Sequence, residues 1–215
     1  MAVIDLTRPL EKNDLQEISY DVKTDYWKLK SPGTEYTGVV YTIQLGSMVG
    51  SYVDLPGHIA ETDDGKDGMN TPIQDFFRIP ARVIRFDLPS GHGGVSAADL
   101  EKACGGKVDT PAIIINALGD KHQYSPGFDT RSVFLTLDAV QWIADCGVKV
   151  ILSDIYESKS LDGVFLQFFK RGVSTICCGR NMHLITGDKA LLTALFMPLP
   201  GVTQLPCRLL AETLD

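Results

Sequence analysis

Apolar and β-branched residues fall in six short runs along the chain, each about as long as a strand. Glycine, proline and polar residues separate the runs, and this pattern predicts β-strands. Several runs are apolar at consecutive positions, as in strands that are buried on both faces of a sheet. The predicted strands cover residues 2–6, 38–45, 81–88, 112–117, 148–153 and 173–177.

The clearest predicted helix is Ala97–Cys104. Ser96 precedes it and Asp99 lies at its third position, so the two side chains can form a capping box at its N-terminus. A Gly-Gly pair directly after residue 104 predicts its end.

Two further helices are predicted in the second half of the chain. Thr136 can cap a helix over residues 137–146, in which the apolar residues share one face and Gly147 supplies a left-handed exit. A third helix is predicted over residues 188–196, with Pro198 shortly after it.

The order of these elements indicates an α/β protein. Strand, helix and strand follow one another over residues 113–152, which predicts parallel pairing with a right-handed crossover. Residues 62–71 are acidic and contain glycine, and they predict a surface loop. Since no internal linker divides residues 1–215, we expect a single domain.

Composition narrows the possible functions. The chain has 215 residues, 44% of them hydrophobic, and a net charge of -7. It has no basic cluster, so neither nucleic acid nor an anionic membrane is expected as a partner. No apolar run is long enough to span a bilayer and no secretory signal is evident. Five cysteines do not form a disulfide framework, and a cytoplasmic protein with reduced thiols is expected.

The most informative segment is residues 48–58, which read Met-Val-Gly-Ser-Tyr-Val-Asp-Leu-Pro-Gly-His. It resembles the His-x-Gly-Thr-His-x-Asp-x-Pro-x-His signature of the cyclase superfamily, which includes kynurenine formamidases and isatin hydrolases. Five residues keep the pattern: Gly50, Ser51, Asp54, Pro56 and His58. Met48 and Tyr52 stand where the signature has two metal-ligating histidines.

The resemblance extends over the chain. Residues 3–10 look like the family's opening strand, residues 147–154 resemble a helix exit and a strand that ends in aspartate, and residues 197–208 resemble its ending. This likeness implies a swivelling β/β/α domain with a mixed sheet core and flanking helices. It also implies a homodimer or homotetramer whose subunits help to close each other's sites.

The resemblance would place zinc or manganese at the positions of Met48, Tyr52 and Asp54. A thioether and a phenol are poor ligands for these ions, and Cys177 replaces a glutamate of the family pattern. We therefore expect no family-type metal centre and no cofactor. The alternative is a rearranged zinc or manganese site made by Asp54, His58 and Cys177.

The remaining polar residues of the motif suit metal-free acid-base chemistry. Imidazole exchanges protons near neutrality, so His58 is the predicted base, which Asp54 would orient. Tyr52 would donate a hydrogen bond to a developing oxyanion. The alternative is structural, with Tyr52 and Asp54 bracing a loop and His58 serving as an ordinary structural histidine.

Five further residues are predicted to contact substrate. Cys177 is a candidate nucleophile, although a small buried hydrophobe in a strand is the simpler interpretation. Glu157 can be a second acid or base or simply a solvated loop residue, and Trp27 can contact a flat ligand or belong to a core or an interface. The set is Trp27, Met48, Ser51, Glu157 and Cys177.

Three functions follow from these residues. The first, which we favour, is an enzyme that hydrolyses a small amide, lactam or lactone, opens or closes its ring, or catalyses an elimination, by metal-independent acid-base chemistry. The second is a metal-dependent hydrolase with substituted ligands. The third is a non-catalytic binding scaffold.

Overall fold

The computed structural model describes residues 2–10 and 20–214. Three α-helices lie in this part of the chain: α1 (Ala97–Cys104), α2 (Leu137–Asp145) and α3 (Val164–Lys170). The strands are β1 (Val3–Asp5), β2 (Tyr20–Ser31), β3 (Thr34–Leu45), β4 (Tyr52–Asp54), β5 (Ile79–Arg85), β6 (Gly93–Val95), β7 (Ala112–Asn116), β8 (Val133–Leu135), β9 (Val150–Ser153), β10 (Ser174–Cys177), β11 (Lys189–Phe196) and β12 (Gln204–Thr213). Single 3-10 turns cover Pro56–His58, Ala60–Thr62, Ile73–Asp75 and Met182–Leu184.

The main sheet is mixed and closes on itself. Its strand order is β1-β12-β11-β5-β7-β9-β10-β4, and an additional pairing of β12 with β4 joins seven strands into a barrel-like ring. Strands β5, β7, β9 and β10 are parallel, whereas β1, β4, β11 and β12 pair antiparallel to their neighbours. The predicted α/β class with a mixed sheet core and flanking helices is confirmed.

Alternating side chains of the strands form two apolar clusters. One lies inside the barrel, where it includes Val83, Ile114, Leu152 and Leu192. Alternate residues of the same strands point outward, and they pack with buried residues of the three helices. The outward-facing cluster contains Tyr52, so the motif segment lies beside the helical layer.

The first two predicted helices form, but only α1 has the predicted side-chain cap. Ser96 and Asp99 make the capping box of α1, in which the Asp99 backbone N–H donates to Ser96 Oγ at 3.3 Å and the Ser96 N–H donates to Asp99 Oδ2 at 2.9 Å. Helix α2 follows Thr136, but the Thr136 hydroxyl donates to the backbone oxygen of Val95 at 3.0 Å. Thr136 therefore fixes α2 to β6 and does not cap the helix with its side chain.

The prediction of a helix over residues 188–196 is wrong, since this segment is strand β11. It pairs with β12 on one side and with β5 on the other. Ala190, Leu192 and Ala194 are fully or almost fully buried, which is the two-residue alternation of a strand. Residues with high helix propensity hid this alternation, and sheet context overrode their propensity.

The six predicted strands lie within or overlap β1, β3, β5, β7, β9 and β10. The parallel pairing predicted around residues 113–152 is also confirmed, because β7 and β9 pair in parallel. The segment 62–71 is a largely exposed loop, in which Asp67 accepts backbone hydrogen bonds from Met69, Asn70 and Gly201. Strands β2, β4, β6, β8 and β12 and helix α3 were not predicted.

Strands β2 and β3 form a separate hairpin. They pair along their whole length, from Tyr20 opposite Leu45 to Ser31 opposite Thr34. Large apolar side chains are exposed along both arms: Val22, Tyr26, Trp27, Leu29, Tyr36, Val39, Tyr41, Ile43 and Leu45. A two-stranded ribbon is only marginally stable in water by itself, and exposed apolar surface of this kind marks interaction sites.

None of the helices in residues 2–10 and 20–214 has the length and apolar character that crossing a bilayer requires.

Candidate functional site

The site is built around β4, which lies between β10 and β12. The strand register places Asp54 opposite Thr175 of β10 on one side and Gln204 of β12 on the other. In the next row on the same face, Tyr52 lies opposite Cys177. Three segments that are distant in sequence therefore bring polar side chains to one patch of the barrel wall.

Asp54 is buried and its carboxylate is fully engaged. Gln204 Nε2 donates to Oδ1 at 2.8 Å, and Thr175 Oγ1 donates to Oδ2 at 3.3 Å. The Cys177 thiol lies 3.6 Å from Oδ2. Burial raises the pKa of Asp54, while the Gln204 hydrogen bond and the nearby His58 oppose this rise. A carboxyl held in this way can exchange a proton closer to neutrality than an exposed aspartate.

His58 ends the Pro56–His58 turn and is largely exposed. Gln204 Nε2 lies 3.2 Å from His58 Nε2, so a single amide contacts both the imidazole and Asp54. The imidazole also meets the edge of the Phe169 ring, with 6.4 Å between the ring centroids. The structure thus links Asp54 to His58 through Gln204, where the sequence suggested direct orientation.

Beside this network lies a cavity of about 180 Å³. Four of the predicted residues line it, namely Met48, Tyr52, Glu157 and Cys177. Asp54 and His58 are not among its lining residues. Asp54 contacts this wall through the Cys177 thiol, and Gln204 links His58 to Asp54.

The Tyr52 phenol remains neutral in this wall. Burial, with the neighbouring Cys177 and Cys178, raises the pKa of Tyr52 far above its ordinary value, and a hydrogen bond joins Tyr52 to Cys177. The phenol keeps its single proton, so it can donate a hydrogen bond toward the cavity once that O–H turns away from Cys177.

Cys177 is also neutral. Burial and the nearby Asp54 raise the pKa of its thiol well above the ordinary value. The nucleophile is the thiolate, so these surroundings favour the interpretation of Cys177 as a small buried residue over a role in covalent chemistry.

Ser51 has a structural role. Its hydroxyl accepts the Arg8 backbone N–H at 2.8 Å and donates to the Cys178 backbone oxygen at 2.9 Å. This side chain is almost completely buried and does not line the cavity. It fastens the loop after β1 to the end of β10.

The other predicted contacts divide between the cavity and the hairpin. Glu157 accepts the backbone N–H groups of Gly163 and Phe165 at 3.2 and 3.3 Å, so it braces the start of α3 while lining the cavity. Met48 is half-buried at the cavity wall. Trp27 lies on the hairpin with 58% of its surface exposed, away from the cavity lining of this chain.

The donor set at the family's metal position does not fit zinc or manganese. Met48 offers a thioether, Tyr52 offers a neutral phenol, and the Asp54 oxygens are engaged by Gln204 and Thr175. Across the described ranges, no three His, Cys, Asp or Glu side chains are grouped as metal ligands, and this includes Asp54, His58 and Cys177.

Several residues of the site were not predicted from the sequence. Gln204 and Thr175 reach Asp54 only through strand pairing, and no local motif marks either residue. The one signal that the sequence offered was the alternation of Leu205, Cys207 and Leu209 with other residues. In the structure these three positions are buried and their neighbours Pro206 and Arg208 are less so. The remaining unpredicted wall residues are Arg8, His122, Gln123, Tyr124, Arg131, Ser153, Asp154, Tyr156, Phe165, Cys178, Gly179 and Arg180.

Asp154 has an unusual environment in this wall. Its carboxylate accepts the backbone N–H groups of Ala117 and Leu118 at 2.8 and 3.0 Å and the Asn116 side-chain amide at 2.8 Å. Removal of the carboxylate from bulk water nevertheless raises the pKa of Asp154 to about 6. It is a titratable group that joins the ends of β7 and β9 beside the cavity.

Comparisons with known proteins agree on the family and the fold. The cyclase family model matches residues 4–158. No functionally curated protein matches the chain significantly.

Solved structures of similar fold extend over nearly the whole chain. Isatin hydrolase A from Labrenzia aggregata, bound to benzyl benzoate, has a TM-score of 0.74 at 13% identity and covers 100% of this chain and 94% of its own. Isatin hydrolase A from Ralstonia solanacearum has a TM-score of 0.72 at 16% identity, with 99% and 92% covered. A predicted metal-dependent hydrolase from Bacillus stearothermophilus has a TM-score of 0.69 at 18% identity, with 98% and 97% covered.

Proposed function

Because this chain belongs to the cyclase family, we propose that it is an enzyme that acts on a small carbonyl compound with an amide, lactam or lactone group. Hydrolysis or ring opening is the favoured reaction, and ring closure or elimination would use the same groups. Structural neighbours named isatin hydrolase and metal-dependent hydrolase support hydrolytic chemistry. We also infer that the barrel is the swivelling β/β/α domain of this family.

The observation that carries the proposal is a connected set of proton-bearing groups that reaches the cavity wall. The Tyr52 phenol lines the cavity and bonds to Cys177, whose thiol contacts Asp54. In this proposal the Tyr52 O–H turns from Cys177 to the substrate and donates a hydrogen bond to the carbonyl oxygen as negative charge develops there. Proton exchange follows through Asp54.

His58 is the proposed base and lies at the solvent-exposed end of this set. Gln204 holds the imidazole and the Asp54 carboxylate together, so a change of charge on one affects the other. Water adds to the carbonyl carbon and its proton reaches His58 by way of Asp54, because the imidazole does not line the cavity; the leaving nitrogen or oxygen receives a proton. None of these steps requires a metal ion at the Met48 and Tyr52 positions.

A substrate panel tests the proposal. Purified protein is assayed with formamides, lactams and lactones, with and without EDTA, beside His58→Ala and the exposed control His92→Ala. We expect turnover that persists in EDTA and is lost only in His58→Ala, because a missing imidazole cannot accept a proton.

Other outcomes identify the two alternatives. Inactivation by EDTA that added zinc or manganese reverses would indicate a metal-dependent hydrolase, and elemental analysis would then give a stoichiometric metal. No turnover of any substrate in the panel would favour a binding scaffold.

We further propose that the protein is a homodimer or homotetramer that contacts its partner through the β2–β3 hairpin. The exposed aromatic side chains Tyr26, Trp27, Tyr36 and Tyr41 support this, because apolar surface of this kind marks interaction sites. We propose a cytoplasmic location, which the five free cysteines suit.

A further inference from the structure

A second cavity, of about 310 Å³, lies at the other end of the main sheet from the cavity described beside Asp54. The first residues of three parallel strands line it, namely Ile79 of β5, Val150 of β9 and Ser174 of β10. The first cavity is lined instead by Ser153 and Cys177, the last residues of β9 and β10. The two cavities share no lining residue, so they are separate spaces.

The floor of the second cavity is formed by the core of the barrel. Leu55, Phe76, Ile79 and Val150 belong to the apolar cluster inside the barrel, and all four line the space. Barrel mouths are common positions for small-molecule sites, whose volumes are roughly 300–1,000 Å³. The size and the floor of this cavity therefore suit a small ligand with an apolar body.

One polar side chain is buried beside this floor. Ser174 alternates with Ile176 of the interior cluster, so its side chain points into the barrel. Ser174 is only 8% exposed and lines the cavity, and its hydroxyl has no hydrogen-bond partner within residues 2–10 and 20–214. A buried hydroxyl is unfavourable unless a polar group meets it, and here that group has to enter from the cavity.

Lys149 places a positive charge next to Ser174. The Ser174 backbone N–H donates to the Lys149 backbone oxygen at 2.9 Å, so the two residues lie side by side where β9 and β10 begin. The Lys149 side chain is exposed, lines the cavity and forms no ion pair with another residue of the described part of the chain. An anionic group at this point can accept hydrogen bonds from the hydroxyl and the ammonium together.

Two other charged residues line the cavity, and both are exposed. The Lys66 ammonium lies 3.8 Å from the Asp64 carboxylate, so this charge is already paired. Asp75 belongs to the Ile73–Asp75 turn, on a different segment from Ser174. Lys149 is therefore the charge that lies beside the buried hydroxyl, and it favours an acid over an amine as the ligand.

We propose that this cavity binds a short aliphatic carboxylic acid in its ionised form. The chain of the acid lies against Leu55, Phe76 and Val150, and its carboxylate accepts hydrogen bonds from the Ser174 hydroxyl and the Lys149 ammonium. Phe76 is the one aromatic residue among the described residues that line the space, so no pair of flat walls selects a planar ring. This site does not depend on the proposed enzymatic function.

Isothermal titration calorimetry of the full chain tests the proposal. The acids are acetate, butanoate and hexanoate, compared with neutral hexanamide and cationic hexylammonium. Ser174→Ala and Lys149→Gln each remove one polar group, and Lys149→Arg retains the charge. Lys107→Gln is the control at an exposed lysine that lines neither cavity, and Arg131→Gln is the control at a charge of the first cavity. Lys149 is exposed, so its substitution tests the proposal even if Ser174→Ala does not fold.

We expect hexanoate to bind about tenfold more tightly than butanoate, because each buried methylene raises the affinity several-fold. Ser174→Ala should weaken hexanoate binding by about tenfold, as expected for loss of a hydrogen bond to a charged group. Lys149→Gln should weaken it by about threefold, since this lysine is exposed to water, and Lys149→Arg should weaken it less. Lys107→Gln and Arg131→Gln should leave the affinity unchanged, and hexanamide should bind less tightly than hexanoate.

Hexanoate that fails to bind, or that binds no more tightly than acetate or hexanamide, would overturn the proposal. Hexylammonium that binds more tightly than hexanoate would assign the cavity to an amine held by Asp75. Hexanoate binding that Arg131→Gln weakens and Ser174→Ala leaves intact would place the acid in the first cavity and equally overturn the site. Every readout is a binding affinity, so these results stand whether or not the protein turns over any substrate of the panel.

Discussion

The Tyr52 side chain combines burial, a phenolic proton and a place on the cavity wall. A histidine at this position could bind a metal ion, but the phenol is held neutral by its surroundings and bonds to Cys177. At this position a phenol offers a hydrogen-bond donor, whereas an imidazole would offer a metal ligand.

Replacing Tyr52 with Phe removes the donor and keeps the ring. We expect kcat to fall by about tenfold to a thousandfold, which is the range for losing one oxyanion donor or acid. Steady-state kinetics on the best panel substrate measures this, and thermal unfolding verifies that the variant is folded. An unchanged kcat in Tyr52→Phe would remove this phenol from the mechanism.

Asp154 connects protonation to stability. Its pKa is raised from 3.8 to about 6 by burial, so the folded protein keeps a proton that the unfolded chain releases. Between these two pH values the folded state binds more protons, and the free energy of unfolding must decrease as pH rises.

This decrease amounts to up to about 3 kcal/mol from Asp154 alone. Chemical denaturation at pH 4 and pH 7 should show it as a difference between the wild type and Asp154→Asn, in which the contribution is absent. Asp120→Asn at an exposed carboxylate is the control. Asp154→Asn also disturbs the hydrogen bonds from Ala117 and Leu118 and so lowers stability at every pH. The test is therefore the change in the free energy of unfolding between the two pH values. Identical pH dependence in Asp154→Asn and the wild type would contradict the assignment.

Among the elements, β4 and β12 determine the site. Strand β4 has only three residues, yet its pairing with β10 and β12 sets which side chains meet Asp54. A shift of the register by one residue would turn Asp54 toward the barrel interior and replace it with Val53.

Gln204→Leu tests this arrangement while keeping similar volume. The Gln204 hydrogen bond is the main influence that lowers the pKa of Asp54, so its loss should raise that pKa further. We expect the acidic limb of the kcat/KM profile to move to higher pH, since Asp54 would retain its proton longer. Gln74→Leu at an exposed position is the control. A lower rate with an unchanged pH profile would indicate a purely structural role for Gln204.

The sequence predicts elements more reliably than it predicts contacts between them. Capping residues and apolar runs identified α1, α2 and six strands because those signals are local. Strand β11 was mistaken for a helix because its alternating buried positions are set by pairing with β5 and β12, which are distant in sequence. Gln204 was missed for the same reason, since its partner Asp54 lies 150 residues away. The motif located Tyr52 and Asp54, but it did not indicate that Gln204 stands between Asp54 and His58.

The described part of the molecule consists of a closed barrel with three helices packed on it and a separate hairpin. Most large apolar residues outside the hairpin are buried in two clusters. The hairpin has no comparable packing within the described part of the chain, where its two arms pair with each other. This exposed surface is the reason for the proposal of a subunit contact at the hairpin.

Introducing charge on this surface should separate the subunits. We expect Trp27→Asp combined with Tyr41→Asp to convert the assembly to monomers, because desolvating two new carboxylates at an apolar contact is unfavourable. Size-exclusion chromatography with light scattering measures the mass, with Leu161→Asp as the control at another exposed apolar residue. A wild-type monomer, or an assembly that survives both substitutions, would place the contact elsewhere or exclude it.

The double pairing of β12 has a consequence for how the protein loses its structure. The same strand closes the ring and carries the amide that holds Asp54, so detachment of β12 would open the barrel and dismantle the acid-base network in one event. We therefore expect no partly unfolded intermediate that keeps the Asp54 network intact during denaturation. A compound lodged beside Tyr52 would in turn protect strands far from it against hydrogen exchange.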